Sequence, residues 1–87
     1  MINERKQLIK NIMAPYQNKK KDMRAVRNII FQIHEQCPGF NWVTYKPYYG
    51  HDSKQNNQDL SILVEEHDGR KTMFSITNKF GVSCRSL

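Results

Sequence analysis

The chain has 87 residues and a mass of 10.3 kDa, enough for a single domain (residues 1–87) and too little for an ordinary two-domain, cofactor-binding enzyme. Fourteen Lys and Arg against eight Asp and Glu give a net charge of +6, and residues 1–36 hold eight of the basic side chains against three acidic ones. No apolar run is long enough for a membrane span, and the charged start lacks the apolar block of a secretory signal. We therefore expect a cytoplasmic protein without membrane contact.

The first predicted element is a short helix close to the start of the chain. Its apolar residues recur at helical spacing and share one face: Leu8, Ile9, Ile12 and Met13. Asn3 is suited to cap the start of this helix. Pro15 ends or kinks it, because proline lacks an amide hydrogen and clashes with the preceding turn.

A second helix is the most clearly patterned element, and Pro38-Gly39 ends it. Its apolar seam repeats every three or four residues: Met23, Val26, Ile29, Ile30, Ile33 and Cys37. Two starts fit the pattern: a helix unbroken from Pro15, or one that begins at Asp22 with residues 19–21 in a linker. The longer helix is favoured because proline suits a first helical position and Tyr16 falls on the same seam. A start at Asn18 is disfavoured, because it would place three lysines in the first turn, against the helix dipole.

The rest of the chain is predicted to form strands at 40–46, 59–66, 70–78 and 80–84, with a long polar connection at 47–58. His67-Asp68-Gly69 makes a three-residue hairpin loop with Gly69 in the left-handed conformation. This loop length gives apolar residues apolar partners across the hairpin. The resulting pairs are Leu60 with Ile76, Ile62 with Phe74, Val64 with Thr72, Glu65 with Lys71, Leu63 with Met73, and Ser61 with Ser75.

These elements predict an α+β fold in which two N-terminal helices pack on a three- or four-stranded antiparallel sheet as a two-layer sandwich. A final strand near the end of so short a chain also allows a homodimer joined through a sheet edge.

The first candidate binding surface is a basic stripe on the second helix. Lys20, Arg24 and Arg27 lie at i, i+4 and i+7, and Lys19 and Lys21 extend the positive field. Aligned cations suit a phosphate backbone, because their binding releases condensed counterions. Phe31 falls on the same side of the helix. It is either a base-stacking or partner-contacting aromatic or part of a second packing contact, and packing is the favoured interpretation.

The second candidate surface is the segment 42–54, where aromatic side chains alternate with cations. Such a mixture suits single-stranded RNA, because accessible bases stack on rings while cations hold the backbone. Tyr48 and Tyr49 are adjacent, so in an extended chain one of them should be available to a partner. The predicted RNA-binding residues of this segment are Tyr45, Lys46, Tyr48, Tyr49 and Lys54.

Residue types that carry chemistry are few and scattered. His34 and Cys37 form one H-x-x-C pair, but a structural zinc site needs two such pairs, so we expect no metal. Without a secretion signal, Cys37 and Cys84 are expected to be free thiols. Each histidine has an acidic sequence neighbour, but nothing brings two of these groups together as acid–base catalysis would require. We expect neither an enzyme nor a cofactor.

The charge and the two surfaces favour a small basic protein that binds single-stranded RNA with low sequence specificity. The alternative is an inhibitor or adaptor that docks on an acidic surface of a host protein. Fourteen Asn and Gln, with eight Ile against four Leu, are typical of AT-rich coding sequences. This bias favours a phage or mobile-element product that counteracts an RNA-acting host factor.

Overall fold

The computed structural model describes residues 1–40, 42–48, 59–77 and 79–87; within 42–48 it describes the backbone and the side chain of Val43. The helical elements in chain order are α1 (Asn3–Met13), a short 3-10 helix (Ala14–Tyr16) and α2 (Met23–Gln36). The strands are β1 (Trp42–Tyr48), β2 (Asp59–Glu65), β3 (Lys71–Thr77) and β4 (Gly81–Ser86). They form one antiparallel sheet in the order β1-β2-β3-β4, so the predicted α+β class is confirmed with four strands.

The β2–β3 hairpin has the register that the sequence predicts. Ile62 lies opposite Phe74, and the pairs on either side follow as expected. The loop closes through Glu66, whose N–H donates to the Arg70 carbonyl at 2.9 Å and whose carbonyl accepts from the Gly69 N–H at 2.9 Å. Gly69 has a φ of 87°, in the left-handed region that only glycine adopts without strain.

One cluster of buried side chains joins the helices to one face of the sheet. In β2 and β3 every second residue is buried, as expected for strands with one covered face. α1 lies against β4 and α2 against β1. The largest fully buried side chains come from both layers: Ile9, Met13, Val26, Ile29, Ile33, Leu60, Ile62, Val64, Phe74 and Ile76.

Several predicted boundaries are wrong by a few residues. Asn3 does not cap α1; it is the first helical residue, and the N-cap position, Ile2, offers no side-chain hydrogen bond. β1 starts and ends later than predicted and includes Pro47 and Tyr48, which the sequence pattern places in the connection. Proline is tolerated there because β1 is an edge strand, where one side needs no amide hydrogen. β4 begins after Phe80, which is 78 % exposed in the turn.

Candidate nucleic-acid interface

The start of α2 decides where the lysine run lies. The helix begins at Met23, and Asp22 is its N-cap, with the side-chain Oδ1 accepting a hydrogen bond from the Ala25 N–H at 3.0 Å. The favoured long helix from Pro15 is therefore wrong, and residues 19–21 belong to the linker. The physical reason is that the Asp22 carboxylate caps a free amide at the positive end of the helix, a contact that a helix running on through Asp22 would not make.

Lys21 is expected to face the solvent with the other predicted RNA-binding cations, but the structure buries it. Its side chain is only 4 % exposed, and Nζ donates hydrogen bonds to the carbonyls of Gln17 at 3.0 Å and Lys19 at 3.1 Å. Burial lowers the pKa of Lys21 below its ordinary value, and the negative charge of Asp59 acts in the opposite direction. Lys21 therefore anchors the linker from inside and is not part of the basic surface.

The other predicted cations of this region face the solvent. Arg24 and Arg27 are exposed on α2, and Lys19 and Lys20 are exposed in the linker just before it. We call these four residues the cationic face. Among the described residues, none of the four makes an ion pair. The expected position of Lys20 on the helix is wrong, but it remains next to the N-terminus of α2 in the chain.

The favoured interpretation of Phe31, a packing contact, is wrong. It is 67 % exposed, although aromatic side chains usually contribute to a core. At about 100° per residue, Phe31 falls about 20° from Arg24 and about 40° from Arg27 around the helix axis, opposite the buried Ile29 and Ile33. The sequence contained this signal, because the spacing of Phe31 from the buried seam already places it on the outward side.

The tyrosine-rich segment is described only in part. Tyr45, Lys46 and Tyr48 lie in β1, where their Cα partners in β2 are Ile62, Ser61 and Asp59. Tyr49 and Lys54 fall outside the described residues, so the role predicted for them stays a prediction. The cationic face of α2 and its linker is consequently the part of the candidate interface whose side chains the structure defines.

The thiols and histidines do not assemble into a described reactive centre. Cys37 is 3 % exposed in the core, and burial raises the pKa of its thiol while the charge of Arg5 lowers it. Cys84 is half-buried on β4, and both cysteines are free thiols. His34 is exposed at the end of α2. Within the described part of the chain, no three His, Cys, Asp or Glu side chains come close enough to hold a metal ion.

A surface cleft of about 270 Å³ opens between the start of α1 and the end of α2, with Arg5 and Cys37 in its lining. The Arg5 guanidinium lies 5.7 Å above the centre of the Phe40 ring, a cation–π contact that holds it against the core edge. The described lining holds one cation and one acidic side chain, Glu4, so it does not form a second row of cations.

Comparison with known protein families, with curated proteins and with solved structures finds no match for this chain. In the described part of the chain, neither helix has both the length and the apolar character that crossing a membrane requires.

Proposed function

We propose that this chain is a small, non-enzymatic RNA-binding protein and that the cationic face is its main contact with the phosphate backbone. The observation that carries the proposal is the unpaired state of Lys20, Arg24 and Arg27 among the described residues, in a chain of net charge +6. Cations that are free of acidic partners can neutralise phosphates. This releases the counterions condensed on the nucleic acid, and their release is a main source of affinity.

The placement of the arginines supports a binding role because it does not favour the helix itself. Arg24 lies in the first turn of α2, where a positive charge opposes the helix dipole by about 0.3–1 kcal/mol. Arg24 and Arg27 are one turn apart, and like charges at this spacing destabilise a helix by about 0.2–0.5 kcal/mol. Two residues that each cost stability on the same face are better accounted for by a polyanionic ligand than by solubility.

The test is the salt dependence of binding to a fluorescein-labelled single-stranded RNA of mixed sequence, measured by anisotropy. The variant Lys20→Gln/Arg24→Gln/Arg27→Gln should weaken binding to all sequences alike. Each lost phosphate contact removes about 0.7 from the slope of log K against log salt, so the slope should flatten by about 2.

The matched control removes the same charge elsewhere, at Lys6, Lys79 and Arg85, which lie on α1, in the β3–β4 turn and on β4. It should lower affinity only slightly and keep most of the slope. Equal losses in both variants would show that no defined face binds RNA. Failure of the wild-type protein to bind RNA at low salt would refute the proposal. Retention on polyglutamate under the same conditions would then favour the alternative partner, an acidic protein surface.

A further inference from the structure

The outward side of α2 combines one exposed aromatic ring with two arginines. Phe31 is 67 % exposed, and Arg27 and Arg24 are exposed one and two turns before it, respectively. Residues three or four apart are neighbours on a helix surface, so the Arg27 side chain starts next to the ring and Arg24 next to Arg27. A single exposed apolar residue is common and needs no explanation. An exposed ring in line with two arginines that have no described acidic partner is a more specific arrangement.

The two kinds of side chain suit two parts of the same ligand. Guanidinium groups bind phosphate oxygens, and an exposed ring offers its face to a nucleobase. In a duplex the bases are already stacked on one another, so a surface ring gains little from them. In a single strand the bases can turn outward and stack on the protein. Charge complementarity selects a polyanion, and the ring selects a polyanion with accessible aromatic groups.

We infer that Phe31 is the base-stacking residue of the RNA site and makes the cationic face selective for single strands over duplexes. The inference rests on the proposed function and adds a residue and a selectivity to it. An unpaired base stacks on the Phe31 ring while Arg24 and Arg27 hold neighbouring phosphates. Glu35, one turn beyond Phe31, is also exposed and limits the cationic face at that end.

The test compares three ligands of equal length: a single-stranded RNA, the same strand annealed to its complement, and an abasic strand that keeps the sugars and phosphates. Stacking of one base on an aromatic residue changes affinity by roughly 5- to 150-fold. Phe31→Ala should therefore weaken single-strand binding by about tenfold or more. Its affinity for the duplex and the abasic strand should stay unchanged, and so should its salt slope, because stacking releases no counterions. Phe31→Trp keeps an aromatic ring at this position and should bind the single strand as tightly as the wild type.

The matched control is Phe80→Ala, which removes a ring that is 78 % exposed in the turn before β4, next to Lys79. It should bind all three ligands like the wild type. Equal affinity of the wild type for single strand and duplex, or single-strand binding by Phe31→Ala at wild-type strength, would overturn the inference and leave the proposed function standing. An equal loss in Phe80→Ala would overturn the assignment to Phe31. Absence of all RNA binding at low salt would overturn both proposals together.

Discussion

The buried Lys21 should contribute to stability far more than the exposed lysines beside it. Lys21→Met keeps most of the apolar stem but removes the nitrogen that donates to Gln17 and Lys19 at 3.0 and 3.1 Å. A protein hydrogen bond contributes about 1 kcal/mol net, so losing both should lower the free energy of unfolding by about 2 kcal/mol. For a domain of this length, that loss corresponds to a Tm about 10 °C lower.

The assay is urea denaturation followed by circular dichroism, together with a thermal melt. Lys20→Met is the matched control, because Lys20 is exposed and makes no described contact. It should change stability by less than about 0.5 kcal/mol. If Lys21→Met were as stable as Lys20→Met, Lys21 would not anchor the linker.

The pH dependence of the same pair of proteins tests the physical reasoning further. Burial lowers the pKa of folded Lys21 below 10.5, so between the two values the unfolded chain binds more protons than the folded one. Stability that depends on Lys21 should therefore increase as pH rises through this window. The neutral amine still has two N–H groups, enough for both carbonyls. A stability difference from Lys21→Met that shrank with rising pH would contradict burial as the dominant effect.

Two further substitutions test the turn and the helix start. Gly69→Val should lower the free energy of unfolding by about 1–2 kcal/mol through backbone strain alone, because an added Cβ meets no atom within 4 Å. Gly69→Asn should lower it less, because asparagine tolerates the left-handed conformation better than valine. Equal loss of stability in the two variants, measured by urea denaturation, would show that strain is not the cause. Asp22→Ala should lower the free energy of unfolding by about 1 kcal/mol, because it removes the oxygen that accepts from the Ala25 N–H. Asp22→Ser, which keeps a capping oxygen, should melt close to the wild-type temperature. An unchanged Tm in Asp22→Ala would show that the cap is dispensable.

The parts of the fold that the sequence predicts correctly have local causes. The hairpin register follows from loop length and from the match of Ile62 with Phe74, both contained within a short stretch of chain. Most of the buried seam of α2 follows from spacing: Ile29 and Ile33 are fully buried, whereas Met23 at the start of the helix is 47 % exposed. The outward position of Phe31 follows from the same spacing, but a general preference of aromatic residues for cores outweighed it.

The parts that could not be predicted depend on competition between local signals or on distant contacts. Pro15 and Asp22 are both acceptable at a helix start, and spacing does not decide between them. The buried Lys21 donates to the carbonyls of Gln17 and Lys19, and its pKa is affected by the charge of Asp59, which is far away in the chain. The tyrosine-rich surface lies partly outside the described residues, so its role in binding stays a prediction.

The order of the strands also bears on how the chain acquires its fold. Every strand pairs with its neighbour in the chain, so each pairing closes a comparatively short loop and the entropy lost at each step is small. The β2–β3 and β3–β4 connections, residues 66–70 and 78–80, are the two short ones, and we expect these three strands to pair first and β1 to add last. During synthesis, however, α1 and α2 leave the ribosome before any strand. Their apolar faces, including Ile9 and Ile33, therefore remain uncovered until the strands that pack against them have emerged.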